Sequence, residues 1–94
     1  DRMDLPSGSR LVRSTPDFDE RTAPAGLRAT HRIADGVWGR LVVTSGQLDL
    51  VFEEPEPLRR TLGDGDVQVI PPGRLHHVEL TTPVGFHIEF HRSD

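Results

Sequence analysis

Apolar and polar residues alternate along most of this chain in short runs, and turn-forming residues interrupt those runs every few positions. Alternation with a period of two residues is typical of half-buried strands. Eight prolines and nine glycines leave no room for a long helix. The pattern therefore predicts an all-β protein, with strands at Leu11–Ser14, Gly26–Ile33, Val37–Ser45, Gln47–Phe52, Leu58–Leu62, Asp66–Ile70, His76–Leu80 and Val84–His91.

The strands at 47–52 and 84–91 show most clearly which face is buried, because their large apolar side chains all fall on even positions. Successive side chains of a strand point to opposite faces, so we expect the even positions to form the core. The opposite phase of the last strand would instead turn its polar residues inward. The predicted inward set is Leu48, Leu50, Phe52, Phe86, Ile88 and Phe90, and the outward set is Gln47, Asp49, Val51, His87, Glu89 and His91.

Two segments lack this alternation. Residues 15–25 are bounded by prolines, and we expect an extended arm or a single turn that packs over the sheet through Phe18. Carboxylates in this arm, at Asp17, Asp19 and Glu20, are expected to make turn hydrogen bonds. Residues 53–57 are acidic and contain two prolines, which predicts a solvated hairpin loop. One domain is expected, with residues 1–25 as the arm and first strand and residues 26–94 as a barrel.

Composition narrows the chemistry. The chain has 94 residues, 11 basic against 15 acidic side chains, a net charge of −4 and no cysteine. All the basic residues are arginine, so lysine Schiff-base and cysteine-nucleophile chemistry are excluded. Without a concentrated basic face, nucleic acid is not an expected partner. No run approaches the roughly 20 apolar residues of a membrane span and no leader precedes the first strand, so we expect no membrane partner and a cytoplasmic location.

One stretch has a spacing that suggests a site. Gly65, Pro71, Gly73 and His76 follow the pattern G-x5-P-x-G-x2-H. The first glycine allows a turn into a strand, and the proline and second glycine allow the tight turn that follows it. We expect this hairpin to direct the imidazole of His76 into the mouth of a small barrel.

This spacing resembles the second sequence motif of the cupin superfamily, which are small double-stranded β-helix or jelly-roll barrels. The first cupin motif normally supplies an H-x-H pair, a glutamate and a closing glycine. Here His31 is followed by Ile33 instead of a second histidine, and Gly39 lies seven residues before Gly46, where the glutamate is expected. The resemblance therefore implies a weakened or rebuilt metal site.

A closer resemblance extends over nearly the whole chain, to the YeaR/TehB N-terminal-domain family of small bacterial cupins associated with tellurite resistance and nitrosative stress. The resemblance implies a metal-capable pocket and a homo-oligomer, here expected to be a homodimer. Long members continue into a methyltransferase domain, and for this short chain we expect no methyl transfer. The matching residues are Leu5-Pro6, 15–20, 22–27, His31, Gly36-Val37-Trp38-Gly39-Arg40-Leu41-Val42-Val43, Gly46-Gln47-Leu48, Pro71-Pro72, His76 and Phe86-His87-Ile88-Glu89-Phe90.

Histidine and carboxylate side chains are the available metal ligands. Neutral imidazole binds zinc, iron, nickel and copper, so His31 and His76 are the predicted ligands of a divalent transition metal. Two imidazoles rarely suffice, and we predict Glu89 as the third ligand, with His87 as its alternative. His91, His77 and Glu20 remain candidates, although alternation points His77 away from His76.

Trp38, Arg40 and Arg28 are the predicted ligand-binding residues. Arg28, Arg32 and Arg40 could bind an oxyanion or carboxylate, although a solvated, salt-bridged face is the commoner arrangement. Trp38 could orient a ligand or serve as a core aromatic. Two functions follow, a metal-binding stress-response cupin that takes a small molecule or oxyanion, and a metal-free binding or sensing module. A purely structural role ranks third. No catalytic residue is assigned, and whether the protein is an enzyme stays open.

Overall fold

The computed structural model describes residues 4–93 and consists almost entirely of antiparallel strands. The outer ends of the predicted arm and barrel, residues 1–3 and 94, lie outside the described residues. No helix between residues 4 and 93 has the length and hydropathy needed to cross a membrane. The elements are β1 (Arg10–Ser14), β2 (Phe18–Asp19), α1 (Ala25–Arg28), β3 (Val37–Phe52), β4 (Leu58–Gly63), β5 (Val67–Ile70), β6 (His76–Glu79) and β7 (Val84–Arg92).

The long strand β3 organises the fold because it belongs to two sheets. Its first half pairs with β7 and β5, and its second half pairs with β4 and β6. The bend lies at Thr44–Gly46, where the register with β7 shifts. Gly46 has φ +72°, and a Cβ there would collide with the carbonyl oxygen of Pro83. The two strands predicted at 37–45 and 47–52 are therefore one bent strand.

The core lies between the two sheets. It contains eleven buried apolar residues, and the predicted alternation is confirmed in β3 and β7, where the even positions from 48 to 52 and from 84 to 88 are buried. Phe90 packs partly buried against them. The apolar-inward phase of β7 is thus correct. The core residues are Leu41, Val43, Leu48, Leu50, Phe52, Leu62, Ile70, Val78, Val84, Phe86 and Ile88.

The arm joins the sheet as the short strand β2, which pairs with β7, and Phe18 packs against the core as predicted. Phe18 lies in β2 opposite Phe86, with 5.8 Å between the ring centroids. Asp19 Oδ1 accepts hydrogen bonds from the backbone of Arg21 and Thr22, both at 2.8 Å. The bond from Thr22 and then that from Arg21 lower the pKa of Asp19. The turn-forming role predicted for this carboxylate is confirmed.

One predicted strand, Gly26–Ile33, is wrong. The chain forms the single helical turn α1 there, after Pro24 at the N-cap, and residues 29–36 then cross the sheets without joining them as a strand. Their one ladder contact is an isolated bridge between His31 and His76. The seven strands of residues 4–93 are connected through β3 and do not close into the predicted barrel.

Candidate functional site

His76 is held at the start of β6 by the predicted hairpin. Gly65 and Gly73 both have positive φ, +81° and +76°, as the two turns before and after β5 require. The hairpin pairs His76 with Phe52 of β3, and the imidazole is 2% exposed. The G-x5-P-x-G-x2-H spacing therefore does direct this histidine inward, beside the core.

His31 lies against His76, although it does not belong to a strand. The two residues exchange a pair of backbone hydrogen bonds, each 2.9 Å long. Their imidazole rings lie 4.2 Å apart between centroids, at an angle of 57°. The structure thus brings together the two histidines that the sequence singled out.

Hydrogen bonds fix the orientation of both imidazoles. Nδ1 of His31 lies 2.9 Å from the carbonyl oxygen of Ala29, and Nδ1 of His76 lies 2.8 Å from that of Arg74. A carbonyl oxygen can only accept, so each Nδ1 carries the proton and, in the neutral ring, Nε2 keeps its lone pair. Burial lowers the pKa of His76, and so does the neighbouring His31, which favours the neutral form of His76. The pair therefore offers Nε2 acceptors.

The segment around His31 is anchored from two sides. On its amino-terminal side, the hydroxyl of Thr30 donates to Oε2 of Glu53, the residue that follows β3, at 2.6 Å. The same carboxylate oxygen lies 2.5 Å from Nδ1 of His77, which points away from His76 as predicted. On the other side, the backbone of Gly73 donates to the carbonyl oxygen of Ile33 at 2.8 Å. No sequence pattern indicated the hydrogen bond between Thr30 and Glu53, which are 23 residues apart.

Gly39 lies where the first cupin motif has its glutamate, and the packing around Gly39 leaves no room for a side chain. A Cβ on Gly39 would lie 2.7 Å from Cδ1 of Ile33. Ile33 therefore packs directly onto the glycine backbone and takes up the space that a side chain would need. Gly39 and Ile33 thus take the positions of two expected ligands, because Ile33 lies where the second histidine of the H-x-H pair is expected.

The predicted third ligand does not join the histidine pair, which corrects the expectation for Glu89 and for its alternative His87. Both residues lie at odd positions of β7, on the face opposite the core. Glu89 accepts a hydrogen bond from Arg40 at 2.9 Å and lies 3.2 Å from Nε2 of His91. His87 Nε2 is 3.5 Å from the other Glu89 oxygen. These four side chains, Arg40, His87, Glu89 and His91, form what we call the outer cluster.

The predicted ligand-binding residues also lie elsewhere. Trp38 is half-buried opposite His91 in the β3–β7 ladder, so it lies on the outer face beside Arg40. Arg28 donates to the backbone carbonyl of Glu20. None of the three lines the pocket described next, which corrects the expectation that they form its binding groups.

A pocket of about 430 Å³ opens on the inner side of the sheet, and His31 and His76 both line it. Its walls are mainly apolar, and Arg13, Arg32 and Arg92 are its charged residues. Arg32 was among the candidate anion-binding arginines, whereas sequence reasoning missed the other two. Arg92 could have been predicted from the sequence, because it lies two residues after Phe90 and therefore on the same, inward face of the strand. Arg13 could not have been predicted, because its place in the pocket depends on how β1 pairs with β7. That register places Arg13 opposite Phe90.

The fold has known structural relatives. It is similar to the crystal structure of a cupin-2 domain-containing protein from Shewanella frigidimarina, with a TM-score of 0.57 and 21% identity, covering 92% of this chain and 72% of that one. The chain therefore has a cupin-like β fold. A crystal structure of an Escherichia coli K12 protein is more similar, with a TM-score of 0.87, 29% identity and 97% coverage of both chains.

Sequence comparison identifies the family. Residues 13–88 match the TehB-like domain family. The chain is also 31% identical over 98 residues to the uncharacterized protein YeaR of Escherichia coli K12, covering 94% of this chain and 82% of YeaR. The chain belongs to the TehB-like domain family, and the resemblance drawn from its motifs is confirmed.

Proposed function

We propose that this chain is a small ligand-binding cupin in which His31 and His76 hold a divalent transition metal, namely zinc, iron, nickel or copper. One observation carries the proposal: each Nδ1 proton is engaged by a backbone carbonyl, so the Nε2 atoms are the free ligand positions. Metal-binding histidines usually donate their other ring N–H in this way. The geometry supports an oriented pair rather than two unrelated histidines.

The donor set fits a metal only as a two-residue site. Zinc sites commonly take three or four protein ligands. Within residues 4–93, no group of three or more His, Cys, Asp and Glu side chains could share an ion. The other positions would come from water or from a bound molecule, and such a metal would supply Lewis-acid or redox chemistry. We expect a weak site that a ligand completes.

The incomplete ligand set favours a second candidate, a metal-free binding or sensing module without catalytic activity. In this case the two Nε2 atoms accept hydrogen bonds from a ligand in the pocket, and no metal intervenes. A pocket of about 430 Å³ lies within the size range of small-molecule sites. The two candidates share the site and differ in whether a chelator abolishes ligand binding.

Family membership supports a cellular role for either candidate. We propose a role in tellurite resistance or in the response to nitrosative or oxyanion stress, carried out in the cytoplasm of a bacterium. A homodimer is part of the proposal, because Leu11 and Val12 of the strand β1 are 55% and 52% exposed at the edge of the sheet. A monomer mass that does not change with concentration in sedimentation would contradict the dimer.

Elemental analysis of protein purified without added metal tests the metal proposal. The native chain is compared with His31→Ala and His76→Ala, and His87→Ala is the matched control because it removes an imidazole from the outer cluster. Calorimetric titration with zinc, iron, nickel and copper extends the comparison to protein that loses metal on purification. We expect metal binding to disappear in the first two variants and to persist in the control. Native protein that takes up none of the four metals would overturn this proposal and favour the metal-free module.

A further inference from the structure

The charged residues of the pocket all have the same sign. Arg13 lies in β1, Arg32 lies in segment 29–36 between α1 and β3, and Arg92 lies at the end of β7. No aspartate or glutamate of residues 4–93 lines the pocket. Three of the eleven arginines of a chain with net charge −4 thus converge on one concavity. Their positive charge favours an anionic occupant.

The arginines of the pocket differ from Arg40 and Arg59, which are held by carboxylates. Arg40 is paired with Glu89, and Arg59 contacts both Asp49 and Glu79. By contrast, no carboxylate of residues 4–93 lies within ion-pair distance of Arg32 or Arg92. Arg13 lies over the Phe90 ring, 4.4 Å from its centroid. The pocket therefore keeps guanidinium groups whose donors a ligand can use.

The apolar lining and the volume of the pocket indicate the chemical character of the rest of the ligand. Most of the pocket lining is apolar, and its larger apolar side chains are Leu27, Ile33, Val37, Ile70, Ile88 and Phe90. The volume of about 430 Å³ is more than ten times the roughly 30 Å³ that one water occupies in the liquid. An inorganic oxyanion such as nitrite or tellurite would leave most of this apolar wall in contact with water. A ligand with an apolar body would cover it.

We infer that the pocket binds a small organic anion, with its carboxylate or equivalent acidic group among Arg13, Arg32 and Arg92 and its apolar body between the β3, β5 and β7 walls. The opposite end of the body lies toward the Nε2 atoms of His31 and His76. This inference rests on the proposed function in that it uses the same pocket as the ligand site. It does not require a metal.

Calorimetric titration of the full chain with a defined series of probes tests this inference. Acetate, butyrate, hexanoate and phenylacetate lengthen the apolar body at constant charge. Hexanamide removes the charge from hexanoate, and nitrite and tellurite carry charge without a body. Each probe is titrated with and without a chelator and with and without added zinc. Failure of metal binding then shows as an absent zinc isotherm, whereas failure of the anion site shows as absent carboxylate binding in every condition.

We expect affinity to rise from acetate to hexanoate and to exceed that for either inorganic anion. The double variant Arg32→Gln/Arg92→Gln should weaken hexanoate binding at least 10-fold and leave hexanamide binding unchanged. Arg60→Gln is the matched control, since Arg60 is an exposed arginine of β4 outside the pocket. Equal or tighter binding of the inorganic anions, equal loss for hexanoate and hexanamide, or no carboxylate binding at millimolar concentration would overturn the inference.

Discussion

One cluster of histidine and arginine lies on the outer face of β7 and the first half of β3, and another lines the pocket on their inner side. The two differ in how their polar groups are satisfied. In the outer cluster, Glu89 lies within 3.5 Å of Arg40, His87 and His91, so every member has a partner in the chain. On the inner face, His31 and His76 use only Nδ1 on backbone carbonyls. The outer cluster is complete, whereas the inner one has unused acceptors.

This difference separates a structural cluster from a binding site. Both clusters contain residue types that bind metals and anions, so residue type alone does not distinguish them. In the outer cluster a ligand would have to displace partners that are already bound. In the pocket a ligand displaces water but breaks no ion pair within the described chain, and the concave apolar wall adds burial of its body. We therefore expect substitutions in the two clusters to affect different properties.

The largest effect is expected for His76→Ala. His76 is 2% exposed, and its ring lies 6.3 Å from that of Phe52 and 4.2 Å from that of His31 between centroids. Truncation leaves a cavity beside the core, and we expect a loss of about 2–4 kcal/mol in the free energy of unfolding. Metal uptake should be lost as well. Urea denaturation and zinc titration measure the two effects.

The matched comparison is His91→Ala, which truncates an imidazole of the outer cluster whose side chain is 12% exposed. Some stability should be lost there, but metal uptake should remain. An equal loss of metal in both variants would contradict the assignment of the inner pair.

The second effect is expected for Glu89→Gln, which keeps the shape of the side chain and removes its charge. Burial opposes ionisation of Glu89, but the hydrogen bonds from Arg40 and His91 outweigh it, so its pKa is lowered. Weakening these charge-assisted bonds should cost about 1–2 kcal/mol. Ligand and metal binding in the pocket should be unchanged, because the carboxylate lies on the other face. A 10-fold change in either would show that the two clusters are coupled.

The same variant gives a pH prediction. The pKa of Glu89 is lower in the folded chain than its ordinary value of 4.5, so its charge stabilises the fold at pH values above 4.5. This contribution is lost as the pH falls through the folded pKa. The stability difference between the native chain and Glu89→Gln should therefore be constant near neutral pH and shrink below pH 4.5. Thermal unfolding across this range measures it, and a difference that grows toward acid pH would have the wrong sign.

Much of the fold could be predicted from local pattern. Alternation identified the inward faces of β3 and β7, and the Gly-Pro spacing located the hairpin that buries His76. The segment 26–33 was misassigned because its alternating Leu27 and Ile33 imitate a strand, whereas Pro24 starts a helical turn and Ile33 packs on Gly39. The all-β, cupin-like fold class is confirmed, although the sheet does not close into a barrel.

The candidate site was only half predictable. His31 and His76 were identified because a motif and a resemblance pointed to them. The pocket arginines depend on contacts between distant parts of the chain, such as Arg13 of β1 opposite Phe90 of β7. Glu89 was chosen as a ligand for its chemistry, although the apolar-inward phase already placed it outside. The odd position of Glu89 along the strand predicted its location better than its residue type did, because burial of the whole strand decides which positions face inward.

The smallest effect is expected for Thr30→Val, which removes the 2.6 Å bond to Glu53 and keeps the side-chain volume. The bond is exposed, so the melting temperature should change little. It anchors the residue next to His31, however, and its loss should let the His31 ring move relative to His76. Because partners beyond the ligands typically contribute about 10- to 100-fold to metal affinity, we expect a loss at or below about 10-fold. Competition with a chromophoric chelator measures it.

Thr61→Val provides the control for this last effect, because it removes an equivalent 2.8 Å bond from a threonine to Asp49 on β3, away from the histidine pair. Both variants lose one exposed threonine–carboxylate bond, so both should show the same small change in melting temperature. Only Thr30→Val should change the metal affinity. If the two variants lowered the affinity equally, the effect would be a general loosening of the sheet. A loss of metal affinity in Thr30→Val alone would show that the geometry of the His31–His76 pair depends on the hydrogen bond that holds segment 29–36. Such dependence is expected because His31 does not belong to a strand.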